Sequence, residues 1–461
     1  MTRSAPLVTV VLLTVLGGCA SSPGVPGRSA HPYGETREAQ VDVRPGAAVS
    51  IRNLDGVIRV STHKAQRLEL LAEVVVFASG RDQANEVLDR IHVRVDTEYD
   101  TLVVRTGCEE DFPPPYEVYL HVTVPEGTPL SLQSRMGAVT VQGPVGPTLV
   151  SGDTGDVQVA GVHGNLIVAL REGAVVASRI QGGVFKAYSW KGNTRLQSSS
   201  VERVEVTAGD GSVDLVQVVG EEILAKARGG SIRATECRGN LDLTTDTGEI
   251  VLVDLPSGSW RLQTESGEIK VAGCAGDGRI ETAKGAVHIS RLEGGRVGLK
   301  SGTGPILVTR GTGTLEGTSA AGSVDVQGFR GNVEMALATG PLSIQGQLEK
   351  VRATTGSGSV TVASSGYPPS THPGDDVDWE LRTSFGTVRL FLPRGLDSEL
   401  DLVTKVGSVN VELPGEDLFE RKEGSYAGGL GKRRGRIVVR SGGGAIDVLE
   451  CPGGDLNPHG L

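Results

Sequence analysis

A short segment that begins with glycine returns about every 18 or 19 residues between Gly137 and Val362, and it constrains the fold more than any other feature. Its clearest copies place an apolar residue two and four positions after the glycine. These copies are Gly155-Asp-Val-Gln-Val159, Gly211-Ser-Val-Asp-Leu215, Gly248-Glu-Ile-Val-Leu252, Gly267-Glu-Ile-Lys-Val271, Gly285-Ala-Val-His-Ile289 and Gly322-Ser-Val-Asp-Val326. A fixed period of this length is typical of solenoid proteins.

The columns of the repeat indicate two short strands per coil. The alternation of apolar and polar residues after each glycine is the pattern of a half-buried strand. A second apolar column follows about seven residues after the glycine, at Leu255, Cys274 and Leu292, and a third includes Trp260 and Leu262. The glycine lies where the chain turns into the first strand, and glycine accepts positive φ there without a Cβ penalty.

These columns predict an all-β fold, a parallel β-solenoid of about 16 short coils between Gly137 and Gly444. One coil cannot bury its apolar residues alone, whereas stacked coils form a continuous core. We expect a right-handed coil, although the columns do not determine the hand. A β-sandwich with regularly spaced strands is the alternative. Ile269 lies in a column that is predicted to be buried, so replacing it with a charged residue tests the proposed register.

Composition agrees with a thin, turn-rich core. The chain of 461 residues contains 66 glycines, and aromatic residues make up only 4% of it. Its formal net charge of −10 argues against general nucleic-acid binding, because such binding depends on a basic surface.

The N-terminus reads as an export signal followed by a tether. Residues 1–18 combine a basic start at Arg3 with a short apolar run, too short to span a bilayer as a permanent helix. The sequence Leu16-Gly-Gly-Cys19 that closes this segment resembles the lipobox of bacterial lipoproteins. The resemblance implies lipidation at Cys19 and, with Ala20 and Ser21 next, sorting to the outer membrane. Residues 19–36 are rich in Ser, Pro and Gly and predict a flexible tether.

The remaining chain divides into a cap, the repeats and a tail. Residues 37–128 predict a mixed, β-rich cap with strands at 67–77, 92–97, 102–106 and 116–124 and a helix at 82–91. A separate ligand-binding domain is the alternative for this part. The solenoid is predicted over 129–451, with loops at 364–378 and 416–436, and residues 452–461 form a tail. The second loop is basic at Lys432, Arg433, Arg434 and Arg436, and a solvated loop is favoured over a binding loop.

The cap and the repeats together resemble a known family. A β-rich region that ends in Val124-Pro-Glu-Gly127 is followed by repeats of the form Thr/Ser-x-x-Gly-x-Val-x-Val-x-Gly. This combination, from Val41 to Val448, is similar to a bacterial β-strand-repeat family of unknown function that is often described as adhesin-like. The resemblance implies the solenoid fold and no agreed catalytic site. Some relatives resemble products of envelope-stress operons.

The motifs of common enzymes and cofactor sites are missing from the sequence. It has no Gly-x-Ser-x-Gly, His-Glu-x-x-His or Cys-x-x-Cys, so no catalytic residue, cofactor or metal is predicted. The strongest cluster of polar residues is acidic, with Asp246 and Glu265 in one column and Glu249 and Glu268 in another. Oxygen ligands of this kind suit calcium, but solvated turn carboxylates are favoured. His288 is predicted to face outward.

The cysteines predict no disulfide. Cys237 and Cys274 share a column two coils apart, about 9.6 Å at the usual strand spacing, which is beyond the reach of a disulfide. Cys108 in the cap and Cys451 near the end are further apart. We therefore expect four thiols without disulfides, two of them buried as small apolar residues.

These patterns together predict a lipid-anchored cell-envelope protein that serves as a structural or adhesin-like binding rod and not as an enzyme. Its expected partners are the membrane, through the N-terminal lipid, and a protein or polymer of the envelope. One alternative is a regulatory or scaffold module in envelope stress. Another is a polysaccharide-active β-helix enzyme, but such enzymes need an aromatic-lined groove with clustered catalytic groups, and the chain has few aromatic residues.

Overall fold

The computed structural model describes residues 9–11, 31–108, 116–364, 377–413, 416–430 and 435–451. The chain divides into two compact units, residues 1–230 and residues 231–461. The described residues form 38 strands and one helix. The predicted all-β class is therefore confirmed, and so is the parallel β-solenoid.

The first unit begins with cap strands and continues with the repeats. Its elements are β1 (Thr9–Val11), β2 (His31–Asp42), β3 (Ala48–Asp55), β4 (Ile58–His63), β5 (Arg67–Ala78), α1 (Arg81–Leu88), β6 (Ile91–Glu98), β7 (Thr101–Cys108), β8 (Tyr116–Pro125), β9 (Leu130–Met136), β10 (Val139–Val145), β11 (Thr148–Thr154), β12 (Val157–Val162), β13 (Leu166–Glu172), β14 (Val175–Ser178), β15 (Val184–Lys191), β16 (Thr194–Ser200), β17 (Arg203–Ala208) and β18 (Val213–Ala227).

Two parallel ladders carry the repeats of the first unit. One ladder joins β9, β11, β13, β15 and β17, and the other joins β10, β12, β14, β16 and β18. Along the second ladder Val139, Val157, Val175, Thr194 and Val213 are register partners, and all five are buried. Burying a Val or Leu side chain contributes about 1.5–3 kcal/mol. The aligned columns therefore hold the coils together.

The cap covers the first coil of this unit, which is formed by β3 and β4. Strand β7 pairs in parallel with β3, and β8 pairs in parallel with β4. Strand β5 lies antiparallel between β2 and β8, and α1 buries Ala84, Val87 and Leu88 next to β2 and β5. The four predicted cap strands and the helix are confirmed to within a few residues. A solenoid needs such a cover because an open strand edge would pair with other chains.

The second unit consists of repeats and a more complex C-terminal end. Its elements are β19 (Ile232–Thr235), β20 (Arg238–Thr245), β21 (Ile250–Leu255), β22 (Trp260–Thr264), β23 (Ile269–Ala275), β24 (Gly278–Lys284), β25 (Val287–Glu293), β26 (Arg296–Thr303), β27 (Ile306–Ala321), β28 (Val324–Thr339), β29 (Leu342–Ser357), β30 (Val360–Ser364), β31 (Asp378–Phe385), β32 (Val388–Leu392), β33 (Ser398–Thr404), β34 (Val409–Glu412), β35 (Glu416–Lys422), β36 (Ser425–Leu430), β37 (Gly435–Ser441) and β38 (Ile446–Glu450).

The number of turns is lower than predicted. The solenoid has about 12 turns, compared with the prediction of about 16. The sequence estimate counted one coil for every marker glycine through Gly444, although the chain stops advancing regularly after β30. Strands β37 and β38 lie between the pair β31 and β32 and the pair β33 and β34. At this end of the unit, the number of marker glycines therefore does not equal the number of turns.

A hairpin covers the last coil of the second unit. Strand β36 pairs antiparallel with β33, and β35 pairs antiparallel with β36. Most of the segment predicted as a loop at 416–436 is thus β structure, because its backbone groups satisfy the outer edge of β33. Residues 431–434, with Lys432, Arg433 and Arg434, lie outside the described residues, as do 365–376 of the other predicted loop and the tail 452–461.

The marker glycines stack against one another. A Cβ atom on Gly155 would lie 2.2 Å from the carbonyl oxygen of Gly137, and one on Gly267 would lie 1.8 Å from that of Gly248. The φ of Gly155 is +139°, whereas the φ of Gly267 lies outside the left-handed range. Close contact between coils therefore requires glycine even where the backbone conformation does not.

A second column turns the chain in most coils of the repeat. Six residues after most marker glycines the backbone has positive φ, whether or not the residue is glycine. The column includes Gly161, Arg179, Ser198 and Gln217 in the first unit and Glu236, Asp254, Gly273, Arg291, Arg310 and Gly328 in the second. A non-glycine residue in this conformation costs about 1–2 kcal/mol. The corner recurs because it redirects the chain from one ladder to the other.

A column of buried hydroxyl groups lies three residues before the marker glycine. In the second unit it includes Thr245, Thr264, Thr282, Ser301, Ser319, Thr355 and Thr383. The backbone N–H of Gly267 donates to Thr264 Oγ1 at 3.0 Å, and Thr264 Oγ1 lies 3.4 Å from the oxygen of Gly248 in the preceding coil. Thr264 thus ties its turn to the preceding coil, whereas the hydroxyl groups of Thr282 and Ser301 in the same column have no hydrogen-bond partner among the described residues.

Replacement of Ile269 by Asp tests the buried column. The side chain of Ile269 is fully buried, so the variant would bury a carboxylate without a partner and should lose about 4 kcal/mol or more of unfolding free energy. Chemical denaturation would measure the loss. Ser266→Asp adds the same group at an exposed turn position and should change stability little. Equal stability of the two variants would contradict the register.

Replacement of Thr264 by Val tests the hydroxyl column. The change keeps the shape of the side chain but leaves the N–H of Gly267 without its acceptor, at an expected cost of about 1–2 kcal/mol. Thr247→Val, at an exposed position of the same kind of turn, is the control. A stability loss no larger than that of the control, measured by denaturant unfolding, would show that the hydroxyl contributes nothing.

Candidate functional site

The acidic residues singled out from the sequence lie together in the second unit but are partly neutralised. Lys270 Nζ lies 2.7 Å from Glu249 Oε1 and 2.9 Å from Glu268 Oε2, and these hydrogen bonds raise the pKa of Lys270. His288 Nδ1 lies 3.2 Å from Glu268 Oε1, on the exposed face as predicted. The carboxylates of this column therefore have internal partners. No group of three His, Cys, Asp or Glu side chains in the described ranges is arranged to hold a metal ion.

The described cysteines form no disulfide, as predicted. Cys237 and Cys274 are buried, and Cys108 and Cys451 are partly exposed. Leu255 and Leu292 are the register partners of Cys274 on its two sides, which confirms that its column is apolar. Burial raises the pKa of the Cys274 thiol to about 11. Such a thiol packs as a small apolar group and is a poor nucleophile.

The predicted lipidation site, Cys19, lies outside the described residues, so lipidation remains a prediction. In the part of the chain that the structure describes, no helix has the length and apolar character needed to cross a membrane.

A groove on the outer surface of the first unit is the best candidate for a binding site. It has a volume of about 510 Å³, within the usual range for ligand pockets. Three arginines, Arg52, Arg105 and Arg135, line it, together with polar side chains that include Gln133 and Ser151. The groove is therefore basic, although the chain as a whole is acidic.

The register of the cap strands concentrates positive charge at one end of the groove. Arg94 of β6 is the Cα partner of Arg105 on β7, and Arg105 is the Cα partner of Arg52 on β3. We call these three residues the arginine row. Neighbouring strands lie about 4.8 Å apart, and like charges directly opposite each other destabilise a sheet. Such an arrangement suits a negatively charged ligand.

Buried hydrogen bonds fix this register. Thr106 Oγ1 donates to Asn53 Oδ1 at 2.6 Å, and Asn53 Nδ2 donates to the oxygen of Val118 at 2.8 Å. Asn53 and Thr106 each follow an arginine of the row, so this buried bond between β3 and β7 holds Arg52 beside Arg105. These hydrogen bonds thus join the cap to the first coil directly beside Arg52 and Arg105.

The arginines of the groove differ in their partners. Arg105 pairs with Glu98, and Arg135 Nη2 lies 2.7 Å from Asp55 Oδ2. The Nε atom of Arg105 is buried without a hydrogen-bond partner. The side chain of Arg52 is exposed, and no ion pair or hydrogen bond joins it to another described residue. Arg52 is therefore the guanidinium most available to a ligand.

Two exposed aromatic side chains lie further along the same unit. Tyr188 and Trp190 alternate on the outward face of β15 and are 39% and 55% exposed. We call them the aromatic shelf. The guanidinium carbon of Arg228 lies 4.7 Å from the ring centroid of Trp190, and Arg228 Nη2 lies 2.5 Å from Asp210 Oδ1. This stacking holds the ring of Trp190 in place while more than half of its surface remains exposed.

Charged neighbours also hold Tyr188. Its hydroxyl lies 3.2 Å from Glu205 Oε1, and Lys186 Nζ lies 2.9 Å from the other oxygen of the same carboxylate. The hydrogen bond from Lys186 lowers the pKa of Glu205 and raises that of Lys186. The carboxylate thus stays ionised and anchors both side chains.

The arginine row and the aromatic shelf are joined by a single column of register partners. Starting from Arg52, the successive partners are Gln133, Ser151, Ala169 and Tyr188. We call this column the outer track. Four strand steps give it a length of about 19 Å. Its middle residues are small or uncharged, so the surface between the two ends is open.

The second unit has a groove of similar size but different chemistry. Its volume is about 500 Å³, and its lining includes Asp325, Glu412, Asp447 and Arg389. Gln327 Nε2 donates to Asp325 Oδ2 at 2.7 Å, and Asn410 Nδ2 donates to Asp447 Oδ1 at 2.9 Å. This groove is mainly acidic and partly hydrogen-bonded, and Arg389 is the one basic residue in its lining, whereas three arginines line the first groove.

Residues 58–273 match the family model described as Toastrack DUF4097. This part of the chain is similar to the Toastrack family. The resemblance to a β-strand-repeat family of unknown function is therefore confirmed, although the match is shorter than the predicted stretch from Val41 to Val448. No curated protein matches the chain significantly.

Solved structures with detectable similarity have low identity to this chain. One is described as a "putative cell adhesion protein" from Clostridium sporogenes, with 10% identity and a TM-score of 0.16, and the match covers 90% of this chain and 100% of that one. Another is described as a "putative adhesin" from Parabacteroides merdae, with 11% identity and a TM-score of 0.19, and the match covers 66% of this chain and 96% of that one. These values are too low to support an argument about function.

Sequence reasoning missed the candidate groove of the first unit, although part of its signal was present. Every residue of the outer track lies four positions before a marker glycine, so that column could have been read from the repeat. Arg105 and Arg94 could not have been placed, because their strands interrupt the repeat and pair with β3 only in the folded cap.

The buried thiol of Cys274 should resist alkylation in the folded protein. With a pKa of about 11, about one thiol in a thousand is ionised at pH 8, and burial blocks access as well. Cys274 should therefore react at least about 100-fold more slowly in the native protein than in denaturant. Mass spectrometry of labelled peptides would measure this, with the partly exposed Cys108 as the internal control. Equal labelling of Cys274 in both states would contradict its burial.

Proposed function

We propose that this chain is a lipid-anchored protein of the cell envelope that binds an envelope or external partner without catalysing a reaction. The outer surface of the first unit carries the proposal, because it combines a basic groove with exposed aromatic side chains. Exposed groups of this kind are expected of a binding surface.

The chemistry of the groove favours binding over catalysis. Its ionisable groups are arginines and Asp153, and arginine stays protonated and cannot act as a general base. Its hydroxyl groups, such as those of Ser134 and Ser151, have no histidine in the lining to activate them. The groove can therefore hold and orient a partner, but it lacks a nucleophile with a general base beside it.

Anchoring is supported by the N-terminal sequence. The apolar run before Leu16-Gly-Gly-Cys19 and the Ser-, Pro- and Gly-rich stretch after it together describe a lipidated tether. The tether predicted to end at residue 36 is shorter than expected, because His31–Asp42 pair with β5 as strand β2. Dual acylation gives stable membrane attachment, whereas one chain gives only reversible binding. The outer membrane is the proposed location of the anchored protein.

Replacement of Cys19 by Ser should release the protein from the membrane. The wild-type chain should enter the detergent phase in phase partitioning and incorporate labelled fatty acid, and Cys19→Ser should do neither. Cys108→Ser, in a partly exposed cap cysteine, should behave as the wild type does. Membrane retention of Cys19→Ser, without fatty-acid label in the wild type, would contradict the anchor.

Protease treatment of intact cells then distinguishes the two sides of the outer membrane. Digestion in intact cells, with a periplasmic marker preserved, would favour an external partner. Digestion only after lysis would favour a partner inside the envelope. Recovery of the protein with the cytoplasmic fraction would contradict the proposed location.

A further inference from the structure

We propose that the outer track of the first unit binds an acidic oligosaccharide. The arginine row would hold its carboxylate or sulfate groups, and the aromatic shelf would stack on its sugar rings. This inference rests on the proposed binding function and names the class of ligand.

The arginine row supplies the charge that an acidic ligand neutralises. Arg52 is exposed and has no partner among the described residues, and its register neighbour Arg105 keeps a buried Nε without a hydrogen bond. Guanidinium groups bind carboxylate and sulfate oxygens through paired hydrogen bonds. An anion bound by Arg52 would relieve the repulsion between the two arginines and satisfy the exposed guanidinium group of Arg52.

The aromatic shelf supplies the opposite end. Trp190 and Tyr188 point outward from the same strand, and both are held by charged neighbours before any ligand arrives. A ring that is already fixed loses little conformational entropy on binding. The C–H face of a sugar ring is apolar and packs on such a surface, while its hydroxyl groups remain solvated.

The track between these ends suits a chain of sugars. It runs for about 19 Å along the strand steps, longer than a single sugar. Gln133 and Ser151 offer an amide and a hydroxyl group, and Ala169 adds no bulk. An extended oligosaccharide can therefore contact the arginine row and the aromatic shelf at the same time.

Other anionic polymers fit less well. Single-stranded nucleic acid also uses arginine and aromatic residues, but its affinity depends on a broadly basic surface, and this chain carries a net charge of −10. An acidic peptide would gain from apolar pockets between the charges, whereas the middle of the track is open and polar. A glycan uses both ends without requiring such pockets.

Binding of the full-length protein, purified in detergent, to three probes tests the inference. The probes are an oligogalacturonate, a sulfated heparin-derived oligosaccharide and a neutral maltooligosaccharide of similar length. At least one acidic probe should bind at least about 10-fold more tightly than the neutral one, and its affinity should fall as salt is added. Absence of this preference would overturn the proposal.

Two substitutions test whether the outer track is the binding site. Arg52→Gln and Trp190→Ala should each weaken binding of the acidic probe by about 10-fold. Arg389→Gln, in the groove of the second unit, and Phe385→Ala, at an exposed aromatic residue of that unit, are matched controls and should change affinity less than twofold. Equal losses in tests and controls would overturn the assignment.

The remaining outcomes separate this inference from the proposed function. Tighter binding of polyglutamate or single-stranded DNA than of the acidic glycans, or binding insensitive to Trp190→Ala, would reject a glycan as the ligand. Such a result would leave membrane anchoring and a binding role intact. Membrane retention of Cys19→Ser, without fatty-acid label in the wild type, would instead reject the proposed function, whatever the glycan affinity.

Discussion

Close stacking of the marker glycines is the constraint on which the rest of the repeat depends. The carbonyl oxygen of one glycine occupies the space where a Cβ atom of the next would lie, as between Gly137 and Gly155 or Gly248 and Gly267. No other residue can stand there without moving the backbone. This contact fixes the start of each coil, and the apolar columns can align only because those starts coincide.

Two further columns convert this contact into a repeating coil. The positive-φ corner six residues after the glycine sends the chain from one ladder to the other, and it is conserved in geometry although Arg179, Ser198 and Gly273 differ in chemistry. Buried hydroxyl groups such as that of Thr264 bond the turn to its neighbour. The core needs only Val, Ile and Leu on aligned strands, so the outward positions are free to vary.

Because the outward positions can vary, the outer surface of the first unit can present side chains that bind a ligand. Outward residues contribute little to stability, because exposed ion pairs are worth about 0–1 kcal/mol each. A row of arginines or an exposed Trp190 can therefore be accommodated without disturbing the core. The cap adds what the repeat cannot provide. Strand β7 places Arg105 beside Arg52, where the buried bond between Thr106 and Asn53 holds it, and β6 adds Arg94 on the far side of Arg105.

The sequence by itself determined the fold class, the cap strands and the absence of disulfides among the four described cysteines, because these follow from local periodicity and from spacing along regular coils. The columns predicted that Ile269 is buried and that His288 faces outward, and both are so. The tertiary structure decided the turn count, the hairpin at 416–430 and the groove. Each of these depends on pairing between strands that are distant in the chain, such as β37 with β31 and β7 with β3. Periodicity carries no information about such pairing, since it records only which face of a strand is buried.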